Sequence, residues 1–211
     1  MEPNEIDSEL NQLEQNISDF SKLSITEFRE KILDIAERIV EADISLRDQI
    51  KELFDNVQKS GESLIHNIVR RGGNEDLDRV CKFDVDVTIT DSNKNNILHI
   101  AVYNKKLLLV SDILRKHIEQ VRSVMINAQN KNGLTPLHYA VMNNQFDIVV
   151  LLLNAGAGLY FKDERGNTPL DMADFLGYEK IINIFKGNTE IENLNLDVDG
   201  LPSRSNFDNK I

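Results

Sequence analysis

An all-α chain built around a short repeat array is what these 211 residues predict. Three observations carry the prediction. The stretch Gly133-Leu134-Thr135-Pro136-Leu137-His138-Tyr139-Ala140 returns 33 residues later as Gly166-Asn167-Thr168-Pro169-Leu170-Asp171-Met172-Ala173. Three of the four histidines, His66, His99 and His138, fall in the same register, at spacings of 33 and 39. Between Asn4 and Ser60 there is no glycine and no proline, and apolar residues recur at helical spacing.

Charge divides the chain before any element is drawn. Residues 1–57 carry 15 acidic and 6 basic side chains. Residues 58–186 carry 15 and 16, and residues 187–211 carry 5 and 2. An acidic head, a neutral middle and a short acidic tail follow. The formal net charge of −11 argues against nucleic acid as a partner, because the overall field repels phosphate. Cys81 is the single cysteine, so neither an intrachain disulfide framework nor a multi-cysteine metal site is expected. The longest apolar run, Ile148–Leu153, is far short of the ~20 residues that span a bilayer. The acidic start, Met1-Glu2-Pro3-Asn4-Glu5, does not read as a secretory signal peptide. A soluble, intracellular-type protein is the expectation.

In the head (1–57), two or three helices are expected. Ile6, Leu10, Leu13, Ile17 and Phe20 form one stripe, and Ile25, Phe28, Ile32, Ile35 and Ile39 a second. Leu46, Ile50, Leu53 and Val57 form a third. Ser24 and Glu27 make a capping-box signature, which starts a helix near Ile25. Ser45 with Asp48 is a second candidate start. The register shifts between segments, so a small bundle packed on the first repeat is favoured over an intermolecular coiled coil.

Four units follow in 58–187, at about 58–90, 91–129, 130–162 and 163–187. In the third, Thr135 caps a helix and Pro136 occupies its first position, where a missing N–H costs nothing. Leu137 and Ala140 share one face. Gly72, Lys105, Asn144 and Gly177 occupy equivalent helix ends, where positive φ is expected and Lys105 is strained. The second helix buries Ile148, Val149, Leu151 and Leu152, and Gly156 ends it. Each unit is too small to bury its own apolar face, so stacking supplies the core and the ends need polar caps. Lys186 stands where the third unit has Leu153, and Asp76 and Arg79 stand where it has Ile148 and Leu151. Cys81 aligns with Leu153 and reads as a buried hydrophobe. His117 reads as a solvent-side helix residue.

The 39-residue spacing marks a six-residue insertion in the second unit. Leu107, Val110, Leu114, Ile118, Val121 and Met125 keep helical spacing through it, so it lengthens the second helix by about 9 Å. Arg115, Lys116, Glu119, Gln120 and Arg122 decorate it, as a tolerated insertion or a partner-contacting spur. The tail, 188–211, is polar and is expected to be disordered.

These motifs resemble the ankyrin repeat family. Thr135-Pro136-Leu137-His138 and Thr168-Pro169-Leu170 carry the resemblance, with Phe146–Ala157 similar to the family's second helix and its Gly-Ala ending. The third repeat looks like those of ankyrin proteins from obligate intracellular bacteria. The resemblance implies an ankyrin-repeat solenoid of helix-turn-helix units with β-hairpin-like tips. It implies that the histidines bond backbone between neighbours, and that a protein partner is bound on the concave face.

Carried over position by position, the family's variable surface gives Arg70 and Arg71 in the first repeat. The second gives Ser92, Asn93, Asn95, Tyr103 and Asn104. The third gives Lys131, Asn132, Leu134, Met142 and Asn143, and the fourth Glu164, Arg165, Asn167, Phe175 and Leu176. Tyr103, Met142 and Phe175 are nearly equivalent and form an apolar stripe, the first choice of hot spot. Arg70, Arg71, Lys94, Lys105, Lys131 and Arg165 would suit an acidic peptide or helix. The chain's own head is one such object and could compete with an outside partner.

No catalytic constellation is present: no Gly-rich phosphate loop, no Gly-x-Ser-x-Gly, no paired metal-ligand histidines. Neither enzyme activity nor a cofactor is expected. The favoured reading is a protein-binding adaptor or effector, monomeric, without membrane insertion. It would act in the cytoplasm or after export into a host cell. The alternatives are an inhibitor of a Rel-type transcription factor and an oligomeric scaffold assembled by the head.

Overall fold

The computed structural model describes residues 3–18, 23–55, 63–116 and 124–187. Phe20, Val57, His117, Ile118, Val121 and the tail 188–211 lie outside the described residues. So do Glu119, Gln120 and Arg122 of the insertion. The chain forms two compact units, Met1–Ser92 and Asn93–Ile211. Each is all-α among the described residues.

The first unit holds α1 (Pro3–Ser18), α2 (Ile25–Phe28), a π-helical turn (Arg29–Leu33), α3 (Asp34–Ala42) and α4 (Arg47–Asp55). After them come α5 (Leu64–Arg71) and α6 (Asn74–Cys81), the helix pair of the first repeat. The capping box at Ser24 is formed. Glu27 Oε2 accepts from Ser24 N at 3.0 Å, and Ser24 Oγ accepts from Glu27 N at 3.2 Å. Those bonds, the backbone one first, hold the exposed Glu27 carboxyl down at about 2. The stripes converge on one core of Leu13, Ile32, Leu33, Ile35, Ala36, Ile39, Ile50 and Phe54. The bundle packs against the first repeat through α4 on α5 and the π turn on α6.

Two local readings change in this unit. Spacing predicts an unbroken helix from Ile25, but Arg29–Leu33 is wound as a π turn. The wider turn brings Leu33 into the core beside Ile32. Ser45 does not start the last head helix. Asp43 Oδ1 accepts from Ser45 N at 2.9 Å and from Ser45 Oγ at 2.6 Å, and a 3₁₀ turn (Ile44–Leu46) leads into α4.

The apolar-to-polar replacements on α6 are docking groups for the head. Arg29 Nε and Nη2 bond Asp76 Oδ1 and Oδ2 at 2.6 and 2.9 Å. Arg79 bonds Glu37 through Nε and Nη2, each at 2.9 Å, and Asp34 through Nη2 at 2.6 Å. Burial pushes the Asp76 carboxyl up, but Arg29 and the Gly73 N–H outweigh it and leave it below the usual range. The Arg79 hydrogen bonds hold the Glu37 carboxyl below its usual range too. Arg47 reaches across to the Lys82 carbonyl and to Asp84. Cys81 is half-buried rather than core, because it is the last residue of α6, where the chain turns away.

The second unit stacks three helix pairs. The inner helices are α7 (Ile97–Tyr103), α9 (Pro136–Met142) and α11 (Pro169–Leu176), and α9 packs on both others. The outer helices are α8 (Leu107–Lys116), α10 (Phe146–Asn154) and α12 (Glu179–Phe185), with α10 between the other two. Leu137, Ala140, Val141, Val149 and Leu152 are wholly buried between these layers. Helix resumes at 124–126 beyond the insertion, with Met125 and Ile126 buried.

Each inner helix opens with the same device. Thr135 Oγ1 accepts from His138 N, Thr168 Oγ1 from Asp171 N, and Asn96 Oδ1 from His99 N. Caps of this kind stabilise a helix by ~1 kcal/mol relative to Ala. His138 Nδ1 accepts from Thr135 N at 3.1 Å, so the neutral ring carries its hydrogen on Nε2. That nitrogen reaches the Asn167 carbonyl of the next repeat at 3.3 Å. His99 does the same to Leu134 O at 3.0 Å. His99 and His138 therefore join neighbouring repeats through backbone, as the resemblance implies.

Lys105 and Asn144 take positive φ at the helix ends (58° and 51°), as does Gly177 (71°). Gly72 does not: its φ is −78°. It is there for room, because a Cβ would lie 2.8 Å from Asp76 Oδ2.

Candidate functional site

A cleft of the second unit lies where its last two described repeats meet. Here the tip before α9 and the tip before α11 are tied together. Asn130 Oδ1 accepts from Asn132 N and Leu134 N, closing the first tip. Asp163 Oδ1 accepts from Arg165 N and Asn167 N, closing the second in the same way. One backbone bond, Glu164 N to Asn132 O at 3.0 Å, links them. Its counterpart, Lys131 N to Asn93 O at 2.8 Å, links the preceding pair. The tips are turns, not strands, among the described residues. Gly133 is the point of closest approach. Its φ is +72°, and a Cβ would lie 2.9 Å from Asp163 Cα.

Behind these tips, α9 and α11 wall a cleft of about 660 Å³. Its apolar surface comes from Leu134, Met142, Met172, Phe175 and Leu176. Leu134 is buried at its base, whereas Phe175 is 90% and Met142 44% exposed. Asn132, Asn167, Asp163, Glu164, Arg165 and Asp171 complete the lining. Phe175 stands out because a phenyl ring left in water forgoes ~1.5–3 kcal/mol of burial.

Both aspartates of the cleft are held charged. Asp171 accepts from Thr168 N and Oγ1, and these bonds push its carboxyl below the usual range. For Asp163, burial pushes the carboxyl up. The Asn167 and Arg165 N–H bonds outweigh it and bring it down. Burial pushes His138 down, only partly offset by its bond to Asn167 and by the Asp163 charge.

Eight of the sequence-selected positions line this cleft: Asn132, Leu134, Met142, Glu164, Arg165, Asn167, Phe175 and Leu176. Tyr103 is outside it. The Tyr103 ring stands edge-on to Tyr139, with centroids 5.6 Å apart, and is 61% exposed. Lys131 and Asn93 are exposed at the tips, while Asn143 is half-buried at the end of α9. Asn95 and Asn104 are half-buried and engaged in the fold. Asn95 Oδ1 accepts from Asn130, and Asn104 Nδ2 donates to Ile100 O. Arg70, Arg71 and Ser92 belong to the first unit and are exposed. Arg71 donates to the Leu23 carbonyl of the head at 2.8 Å.

Asp163, Asp171 and Met172 line the cleft without having been selected. In the structure Asp163 closes a turn and Asp171 caps a helix, and nothing in the sequence marks either charge as facing a recess. Among the described residues, no group of three or more His, Cys, Asp or Glu is placed to hold a metal ion. Among them, too, no helix is long and apolar enough to cross a membrane.

The family model for ankyrin repeats (many copies) matches residues 121–173. The chain is 34% identical to the nuclear factor NF-kappa-B p105 subunit of Rattus norvegicus, over 48% of this chain and 10% of that one. It is 38% identical to NF-kappa-B inhibitor alpha of Homo sapiens, over 37% of this chain and 24% of the other. An ankyrin repeat protein of Rickettsia bellii (strain RML369-C) is 29% identical over 63% of this chain and 75% of its own length. The chain thus spans a quarter or less of the two NF-kappa-B relatives and most of the bacterial one.

Proposed function

Because the chain is an ankyrin repeat protein similar to those of intracellular bacteria, we propose that it is a non-catalytic protein-binding adaptor or effector. It grips a segment of a partner protein with the tips and inner helices of its last two repeats. One observation carries this reading: Met142, Phe175 and Leu176 are apolar, exposed and gathered on one cleft. Aromatic and methionine side chains are enriched in interface cores, and a 660 Å³ recess takes one or two side chains of a partner. The protein works as a monomer, in the cytoplasm or after export into a host cell.

Affinity capture from a host-cell lysate with wild type and with Met142→Ala/Phe175→Ala tests the reading. Partners lost from the double variant, with its fold intact by circular dichroism, support it. Partners retained at equal yield place binding elsewhere.

A second reading rests on the similarity to NF-kappa-B inhibitor alpha. The chain would then inhibit a Rel-type transcription factor. Titration of the chain with a purified Rel-homology region tests it directly, and absence of binding at micromolar concentrations removes it. A stable dimer in light scattering would instead favour a scaffold.

A further inference from the structure

We infer that the occupant of the cleft between the last two repeats is a partner segment presenting an apolar anchor beside a lysine or arginine. The inference rests on the docking reading above and adds the partner's charge.

The apolar part is set by Leu134, Met142, Met172, Phe175 and Leu176, which give the recess an apolar surface for an apolar anchor to meet. The charge is set by the rim. Asp163, Glu164 and Asp171 face one cation, Arg165. Asp171 spends one oxygen, Oδ2, on Thr168, and Asp163 holds its own turn, yet both keep their negative charge. Lys162 is near enough for its charge to act on Asp171, but it does not line the cleft. The recess is therefore electronegative, the opposite of what the exposed cations Lys94, Lys105, Lys131 and Arg165 suggest in sequence. Of those cations only Arg165 lines the recess, whereas three carboxylates do.

The same charge argues against occupants from this chain. Residues 187–211 carry 5 acidic and 2 basic groups, the wrong sign for the rim. In the head, Asp34 and Glu37 are taken by Arg79. A partner of complementary sign fits better than either. Charge complementarity of this kind governs association rate and selection among partners, and it weakens with salt.

The test uses the full chain. It is immobilised and a random peptide display library is selected on it. Enriched peptides are then titrated by fluorescence anisotropy against wild type, Glu164→Lys and Phe175→Ala. The expected result is enrichment of Leu, Phe or Met within a helical turn of Lys or Arg. Affinity should fall about tenfold or more with either variant, and further as salt is raised. Enriched peptides that are acidic, or that bind equally to Glu164→Lys while losing Phe175→Ala, overturn the charge assignment and leave the docking reading standing. No enrichment, or binding indifferent to Phe175→Ala, overturns both.

Discussion

Arg79 grips Glu37 with two parallel bonds of 2.9 Å, one from Nε and one from Nη2. An outer helix of the first repeat is thereby fastened to a helix of the head 42 residues earlier in the chain. The arginine stands where the third repeat has Leu151, so a stacking position has been converted into a clasp.

Arg79→Met is expected to cost about 1–2 kcal/mol in urea unfolding of the full chain. Charge-assisted hydrogen bonds contribute more than neutral ones, but Asp34 is half exposed and its share is screened. A loss below a few tenths would mean that apolar contacts alone hold the head on.

The same clasp sets an acid limit. The Asp76 and Glu37 carboxyls titrate lower in the folded chain than in the unfolded one. Their contribution is fully present above the unfolded values near 3.8 and 4.5. It is lost as pH falls through the folded values, since the unfolded chain takes up protons first. Melting temperature should drop below about pH 4.5, and Glu37→Gln should flatten that drop. An equal slope in the variant would assign the acid sensitivity to other groups.

A histidine adds a limit nearer neutrality. Burial lowers the His138 value below 6.5, so the unfolded state is protonated first as pH falls. Stability supplied by the neutral ring is intact above about pH 6.5 and declines below it. Thermal melts between pH 7 and 5 should show this decline in wild type. They should show less of it in His138→Gln, which starts from a lower plateau.

Gly133→Ala is expected to destabilise by about 1–3 kcal/mol, because the added methyl meets both a positive φ and the Asp163 backbone. Denaturant melts of the full chain check it. Gly166→Ala separates the two causes, since φ is also positive there (84°) but the space is open.

Phe175→Ala should leave stability within about 0.5 kcal/mol, the usual range for an exposed position. A larger loss in thermal melts would mean that the ring is structural rather than available.

What could be read in the sequence was local and periodic. Thr135, Pro136 and His138 announce a capped helix within four residues, and their return at Thr168 fixes the repeat. Lys105 was legible as a strained helix end because its counterparts are Asn144 and Gly177. Gly72 misled, since a glycine needed for room looks the same in sequence as one needed for positive φ. Asp76 and Arg79 were visible as breaks in an apolar pattern, but their partners Arg29, Asp34 and Glu37 are set by tertiary packing. At the candidate site, Met142 and Phe175 stood out because exposed-face positions are normally polar. Asp163 and Asp171 did not, because a turn-forming or capping aspartate shows no sign that its remaining charge faces a recess.

The recess also inherits the mechanics of its location. Its outer wall, α11, belongs to the last described repeat and fully buries only Pro169 and Ala173. Linear arrays breathe from their terminal rungs, so this wall should open more readily than α9. A ligand seated against Phe175 would splint that rung, and its dwell time and the local breathing rate would become one linked quantity.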